Sequence, residues 1–276
     1  MTGTLGTARR PAVSIDASAN RTGAAAPPQA WHAGDCVHCP LRKLPLFHPV
    51  NPTELALIGE LKRAELSHEA DALLIAEGEN DGPLYTLLSG WAFRFKTLGD
   101  GRRQILGFLM AGDFIGLQQK MGDAASHGVR TLTAVRVCSF RRDALWTLHR
   151  ELPSLGYDLT WLAANGEAQV DENLLSVGRR NAIERVAALL LTLHARHAAH
   201  EPAAWQDGMQ LPLNQQHLAD AMGLSLVHIN RTLRDLVGRG LLQWARQGRL
   251  HLPDPARLAA LARMRWPMLQ SLRPLI

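Results

Sequence analysis

The sequence has little cysteine and no long apolar run, and each shortage excludes a class of protein. Three cysteines, Cys36, Cys39 and Cys138, are too few and odd in number for a disulfide framework in a chain of 276 residues. No apolar run approaches the roughly 18 residues that a membrane span needs. The N-terminus lacks the charged start and unbroken apolar stretch of a secretory signal, so we expect a cytoplasmic protein without a membrane partner.

Lysine is absent from residues 178–276, where thirteen Arg stand against six acidic residues and give a net charge of +7. Residues 1–177 carry seventeen basic and nineteen acidic residues, a net charge of −2. A small basic domain beside a slightly acidic one is typical of a protein that binds the phosphate backbone of nucleic acid. The alternative is that the basic surface only contributes to solubility, so the motifs must distinguish between these two interpretations.

The composition, 46% hydrophobic and 20% charged, is that of a globular protein, and the length suits two domains and a tail. Residues 1–34 have almost no large apolar side chains, which predicts a disordered tail. A short helix is predicted to begin at Pro52, with Leu55, Ile58 and Leu61 on one face.

Short β runs separated by turn residues follow between Asp71 and Phe140, which predicts a jelly roll or barrel. The glycines at 78, 90, 101 and 112 supply the positive φ angles that tight connections require. The predicted strands are Leu73–Ala76, Leu84–Leu88, Trp91–Leu98, Gln104–Met110 and Val129–Phe140.

Pro153 begins a stretch without proline that extends to about Ala199 and is interrupted mainly by Gly166 and Gly178. This pattern predicts two consecutive helices. The first, from Pro153 to about Leu175, is too apolar to be only a surface helix, so we expect it to pair with another helix.

The segment Leu213–Gly240 contains two capped helices joined by a sharp turn. Asn214 and Ser225 are predicted to cap the helices, and Gly223 permits the turn between them. Leu218, Ala219 and Met222 are predicted to face inward from the first helix, and Leu224, Ile229, Leu233 and Leu236 to form the buried stripe of the second.

The opposite face of the second helix is polar and suits base edges and phosphates, because Arg pairs with guanine and Asn with adenine. The alternative is an ordinary helical hairpin with a solvated face. A hairpin predicted at Arg246–Leu252, around Gly248, supplies a wing and favours DNA binding. The predicted DNA contacts are Gln215, Gln216, Ser225, Val227, His228, Asn230, Arg231 and Arg234.

From Cys36 to Leu252 the sequence resembles the Crp/Fnr superfamily of bacterial transcription regulators, and the Fnr-like branch more than the cyclic-nucleotide-binding members. The resemblance lies in Gly112-Asp-Phe-Ile-Gly116, in Arg179-Arg-Asn-Ala-Ile-Glu-Arg185 and in the helix-turn-helix.

The resemblance implies an α+β fold with a jelly-roll β-barrel sensor like a cyclic-nucleotide-binding domain at 35–150, a dimerisation helix at 151–177 and a winged helix-turn-helix at 178–276. It further implies a homodimer that reads a palindromic operator in double-stranded DNA and acts on RNA polymerase.

The sequence departs from the family's pattern at two places, and these differences limit what the resemblance implies. Leu117-Gln118-Gln119 and His127-Gly128 stand where nucleotide-binding members carry Glu-Leu-Gly and Arg-Ser, so we do not expect cyclic AMP, and the effector stays unknown. The oxygen-sensing branch carries Glu, Ser and Arg where this chain has Val227, Asn230 and Arg231, so we expect a different half-site.

Cys36-Val-His-Cys39 resembles the start of the oxygen sensor's iron–sulfur motif, and Cys138 stands at its distant ligand. Pro45 replaces the third N-terminal cysteine, so a cluster would need another ligand, such as His32, Asp35, His38 or His48. A reversible thiol pair, a zinc site with His38 or His32, and inert buried cysteines are the alternatives.

The register of the long helix places Thr160, Ala163, Glu167, Val170 and Leu174 on the expected dimer seam. Two facing Glu167 carboxylates would repel, which predicts a weak dimer that an effector can gate. The alternative is that Glu167 points outward.

We expect that this protein is not an enzyme. A thiol redox enzyme would need a strand–loop–helix context around Cys36 and Cys39, which the pattern lacks. A regulatory ligand-binding subunit acting on a partner protein would not need the helix-turn-helix.

Overall fold

The computed structural model describes residues 35–117, 123–245, 249–268 and 272–276. The predicted tail, His32, Gln118, Gln119 and Gly248 of the predicted hairpin lie outside these ranges. Within them, no helix combines the length and the apolar character that crossing a membrane requires.

The N-terminal domain is a barrel preceded by short helices. It contains 3-10 helices at Asp35–His38 and Pro40–Lys43, α1 Pro52–Leu61, β1 Lys62–His68, β2 Leu73–Ile75, β3 Leu84–Ser89, β4 Ala92–Thr97, β5 Arg103–Leu109, β6 Phe114–Ile115, β7 Gly128–Thr131 and β8 Val135–Phe140.

The rest of the chain is mainly helical. It contains α2 Ala144–Glu151, α3 Pro153–Arg179, α4 Ala182–His200, α5 Ala204–Asp207, β9 Met209–Gln210, α6 Gln215–Met222, α7 Leu226–Gly238, β10 Gln243–Trp244, β11 Arg249–His251 and α8 Pro255–Leu261.

The barrel strands form two antiparallel sheets, in the orders β1-β8-β3-β6 and β2-β7-β4-β5, which confirms the jelly roll and the α+β fold. Side chains alternate between the two faces of each strand. Tyr85, Leu87 and Val137 therefore belong to the apolar interior of the barrel, whereas Cys138 and Phe140 pack on the outer face.

The strand prediction was wrong at three places. The expected strand Val129–Phe140 is two strands, because the chain leaves one sheet after Thr131 and enters the other at Val135. Strand β1 was missed because it follows α1 directly and has few apolar residues, and β6 because it has only two residues. The prediction also did not include α2.

The predicted turn glycines at 78, 90, 101 and 112 all have positive φ angles, between 83° and 87°. Gly112 is required for a second reason, because a Cβ atom there would collide with the Phe47 ring. Glycine is the residue that tolerates both conditions.

The two consecutive helices are confirmed as α3 and α4, although α3 continues to Arg179, beyond the predicted end at Leu175. The break between them is sharp because Asn181 and Glu184 form a capping box at the start of α4. The Asn181 side chain accepts from the Glu184 amide at 3.1 Å, and the Glu184 carboxylate accepts from the Asn181 amide at 2.9 Å.

One apolar cluster joins the two domains. Phe93, Ile105 and Phe108 from the barrel pack in the same buried cluster as Leu190 and Leu218 from the C-terminal helices. The C-terminal domain is therefore docked on the outer face of the β4–β5 hairpin.

The last residues of the chain, 272–276, return to the barrel. The Arg273 amide donates to the Leu46 carbonyl at 2.9 Å, and the Arg273 carbonyl accepts from the His48 amide at 2.9 Å. Leu275 and Ile276 are buried against the barrel domain. Nothing in the sequence pattern predicted this return.

Candidate nucleic-acid interface and cysteine cavity

The helix-turn-helix forms from local signals that the sequence already contains. The Asn214 side chain caps α6 by accepting from the His217 amide at 2.8 Å, and the Ser225 hydroxyl caps α7 by accepting from the His228 amide at 3.3 Å. Gly223 turns the chain in the left-handed conformation, with a φ of 63°. All three predicted roles are confirmed.

Helix α7 has one buried and one exposed face. Ile229, Leu233 and Leu236 are fully buried, as predicted. Leu224 was wrongly assigned to this helix, because it precedes the Ser225 cap and is only partly buried. The apolar face fixes the helix on the domain and leaves its other face to the solvent.

The exposed face of α7 presents most of the predicted DNA contacts in one groove. Gln215, Val227, Asn230, Arg231 and Arg234 line it together. The Asn230 amide donates to Gln215 at 3.2 Å, which orders these two side chains. Arg231 and Arg234 are exposed and make no ion pair with any described residue. Their guanidinium groups are available to phosphates and base edges.

The other three predicted contacts have structural partners or lie beside this groove. The Ser225 hydroxyl forms the cap of α7. The Gln216 amide donates to the Asp220 carboxylate at 2.6 Å. The His228 side chain is half-buried.

A three-stranded sheet forms the wing region. Strand β11 pairs antiparallel with both β10 and β9. The strand pair of the predicted hairpin is therefore present, but its first strand, Gln243–Trp244, lies before the predicted range Arg246–Leu252, and residues 246–248 lie outside the described ranges. The Arg249 guanidinium donates to the Gly208 carbonyl at 2.5 Å and fixes the base of this sheet.

The barrel holds α6 directly. The Arg103 guanidinium contacts one Asp220 carboxylate oxygen at 2.7 and 2.9 Å, and the Gln104 amide donates to the Ala221 carbonyl at 2.9 Å. The His217 ring lies 5.7 Å from the Phe93 ring. Sequence reasoning missed this interdomain contact, because its members are more than one hundred residues apart and show no shared pattern.

The Arg179–Arg185 segment joins α3 to the helix-turn-helix. The buried Arg180 guanidinium contacts Ser176 at 2.5 Å, Glu172 at 2.7 Å and the Ala262 carbonyl at 2.8 Å. Arg185 donates to the Met222 carbonyl at 3.1 Å. The bonds of Arg180 fix the end of α3 to Ala262, which follows α8, and the bond of Arg185 fixes α4 to the end of α6.

Asp113, in the Gly112–Gly116 motif, is a buried ion-pair centre. Arg196 from α4 contacts it at 2.5 Å, and Arg273 from the last residues contacts it at 2.6 Å. Burial alone would raise the pKa of the Asp113 carboxyl, but the two guanidinium groups outweigh it and lower the pKa to about 2. The Gly112–Gly116 motif therefore links the barrel domain to the C-terminal domain through Asp113.

The predicted dimer seam is a continuous exposed stripe on α3. Thr160, Ala163, Glu167, Val170 and Leu174 are all exposed, and Leu174 is 70% exposed. The opposite face of the helix, with Leu155, Leu159 and Leu162, packs on the barrel.

The three cysteines line one cavity of about 440 Å³ on the outer face of the barrel. Burial raises the pKa of the Cys138 thiol to about 11, despite the nearby Lys62 ammonium. Among residues 35–117, 123–245, 249–268 and 272–276, no three His, Cys, Asp or Glu side chains are grouped to hold a metal ion. The cysteines as folded do not fit an iron–sulfur cluster, which needs thiolates around one centre.

Comparison with known proteins supports the same architecture. The cyclic nucleotide-binding domain family matches residues 65–151, and the Crp-like helix-turn-helix domain family matches residues 184–261. The solved structure of FixK2 from Bradyrhizobium japonicum is similar, with a TM-score of 0.65 and 27% identity over 71% of this chain and 96% of that one.

Two curated proteins extend the similarity over most of the chain. The nitrogen fixation regulation protein FixK of Bradyrhizobium diazoefficiens is 31% identical over 82% of this chain and 93% of its own length. The transcriptional activator protein FnrL of Cereibacter sphaeroides is 29% identical over 81% of this chain and 90% of its own length. The chain therefore belongs to the Crp/Fnr family of transcription regulators, on its Fnr-like branch.

Proposed function

We propose that this protein is a dimeric, sequence-specific DNA-binding transcription regulator whose barrel domain gates the helix-turn-helix. The observation that carries the proposal is the groove on α7, where Arg231 and Arg234 are exposed and unpaired among described residues beside Gln215 and Asn230. Arginine, asparagine and glutamine are the side chains that read guanine and adenine in the major groove.

The proposed partners are a palindromic operator in double-stranded DNA and RNA polymerase, and the proposed location is the cytoplasm. Two copies joined along the α3 stripe would present two α7 helices to half-sites about one helical turn apart. The relatives named above are a nitrogen fixation regulation protein and a transcriptional activator protein. We accordingly propose regulation of transcription without catalysis.

Cyclic AMP is not the proposed effector of the barrel domain. The domain family that matches the barrel is named for cyclic nucleotides, but His127 and Gly128 stand where an arginine would bind the phosphate. Burial, with Arg94 and Lys96 nearby, lowers the pKa of His127 to about 4, so this imidazole is neutral at physiological pH.

The DNA-binding proposal is tested by selecting binding sites from random duplexes and measuring affinity by fluorescence anisotropy. We expect Arg231→Ala and Arg234→Ala each to weaken the selected site by about 1–3 kcal/mol, the value of a good bidentate base contact. We expect a third variant, Val227→Glu, to change which half-site is selected, since a carboxylate can accept from cytosine.

Arg150→Ala is the matched control, because Arg150 is an exposed arginine of the barrel domain that pairs with Glu151. Its DNA affinity should equal that of the wild type. If the control and both α7 variants lost the same amount of affinity, DNA binding would depend only on the net charge of the protein. That result would contradict a role of α7 in reading the base sequence.

A further inference from the structure

The cysteine cavity has one uncompensated cation. Arg42 lies in its wall, and the Nε and Nη1 atoms of Arg42 are buried without a hydrogen-bond partner. Burial lowers the pKa of Arg42, while the nearby Cys39, Cys36 and Cys138 act in the opposite direction. Arginine stays charged in proteins, and buried unpaired N–H groups carry a free-energy cost that an anion would remove.

The other charges of the cavity nearly cancel. Lys62 lies 3.6 Å from Glu65, and Arg136 also contacts the Glu65 carboxylate. The terminal carboxylate of Ile276 lies in the same wall, so the charges of these four groups sum to zero and Arg42 adds one positive charge. The cavity lining therefore carries a net charge of +1, and Arg42 is its one cation without an ion-pair partner among the described residues.

The remaining walls are apolar. Ile58, Leu88, Phe140 and Leu275 line the same space, and the volume of about 440 Å³ lies in the range of roughly 300–1,000 Å³ typical of small-ligand pockets. An occupant must therefore offer one anionic group to Arg42 and an apolar body to these side chains. Inorganic anions lack the second feature, and neutral apolar molecules lack the first.

This cavity is distinct from the barrel interior. Thr86, Arg136 and Cys138 line it, whereas their neighbours Tyr85 and Val137 point into the barrel. Because successive residues of a strand face opposite sides, the cavity lies outside the space where a jelly roll of this kind encloses a ligand.

We propose that the cavity between the Cys36–Lys43 segment, the outer barrel face and residues 272–276 binds a small amphipathic carboxylate, whose carboxylate pairs with Arg42 and whose hydrocarbon part packs on Ile58, Leu88 and Phe140. No covalent step is involved.

The site has a direct connection to the DNA-binding domain. Leu275 and Ile276 form part of the cavity wall, and Arg273 in the same segment pairs with Asp113, which also holds Arg196 of α4. Binding of a carboxylate is a property of the cavity alone. Control of DNA affinity by that ligand rests on the proposed function.

The test is isothermal titration calorimetry of the full-length protein, without DNA, with octanoate as the probe. We expect octanoate to bind and 1-octanol, which has the same chain length and no charge, to bind roughly 10- to 100-fold more weakly, the value of a charge-assisted hydrogen bond. Arg42→Gln should lose affinity for octanoate by a similar factor, and Arg42→Lys should retain part of it.

Arg141→Gln is the matched control, an exposed arginine of the same domain that pairs with Asp143, and it should bind octanoate as the wild type does. If Arg42→Gln does not fold, the comparison of octanoate with octanol and the Arg42→Lys variant decide. Equal binding of octanoate and octanol, equal binding by Arg42→Gln and wild type, or no heat with octanoate would each overturn the proposal. None of these results depends on DNA binding, which is measured separately.

Discussion

At the scale of single residues, Asp113 joins three segments that are distant in the sequence. Its carboxylate balances two guanidinium groups while it is itself buried, so an amide in its place would leave both arginines uncompensated. We expect Asp113→Asn to lower the free energy of unfolding at pH 7 by about 3 kcal/mol, near the low end of the range for breaking a buried ion pair. Urea denaturation measures this change.

Asp113 should also make the free energy of unfolding depend on pH. The pKa of Asp113 is about 2 in the folded protein and about 3.9 in an unfolded chain, so its contribution is fully present above about pH 4 and is lost as the pH falls towards 2. The Asp113→Asn variant should lack this loss of stability between about pH 4 and pH 2. Asp143→Asn, an exposed aspartate paired with Arg141, is the control, and an equal effect of both variants would contradict the role of burial.

Local roles of residues could be predicted, and distant partnerships could not. The caps at Asn214 and Ser225 follow from residue type and spacing over three or four positions. Asp113 was recognised as part of a motif, but Arg196 is 83 residues away and Arg273 is 160 residues away. Only folding brings such partners together.

At the scale of secondary-structure elements, α3 carries a prediction about assembly. Glu167 stands in the middle of the exposed stripe and has no ion-pair partner among the described residues. If two copies meet there, Glu167→Leu removes a like-charge repulsion and adds apolar contact. We expect the dissociation constant of the dimer to fall at least about 10-fold, the effect of burying one leucine side chain.

Sedimentation equilibrium measures this constant. Ala168→Leu is the matched control, because Ala168 is exposed on the same helix but lies off the proposed seam. An unchanged constant for Glu167→Leu, or equal tightening in both variants, would show that the assigned register is wrong.

Elements with strong periodicity were predicted and weakly patterned ones were not. The strand Leu84–Ser89 follows from a short run of buried, mostly apolar residues, and the two long helices follow from buried faces with a helical period. Strand β1 carries Lys62, Arg63 and Glu65 and pairs with β8, so its pairing comes from the barrel and not from its own hydrophobic pattern.

At the scale of the whole molecule, the two domains behave as one packed body because they share a core. The length of the chain predicts two domains with separate cores, because nothing in the local pattern shows that the outer side chains of β4 and β5 meet another domain. Phe93 and Phe95 are explained only by the docked helices and by the Arg103 guanidinium, which lies 5.0 Å and 6.0 Å from their ring centres.

The contact between Arg103 and Asp220 should hold the helix-turn-helix against local opening. Its two side chains are only 26% and 12% exposed, so the charge-assisted pair is partly shielded from solvent. We expect Arg103→Ala to cost about 1–2 kcal/mol locally and to speed amide hydrogen exchange in α6 and α7 by about 5- to 30-fold, with the barrel interior unchanged.

Hydrogen exchange followed by mass spectrometry resolves these segments. Arg102→Ala is the matched control, because Arg102 is the neighbouring residue and pairs with Asp100 inside its own hairpin. If the interdomain contact holds α6, only the Arg103 variant speeds exchange there. Equal exchange in the two variants would mean that the shared apolar core alone fixes the helix-turn-helix, because removing the charged contact would then have no effect of its own.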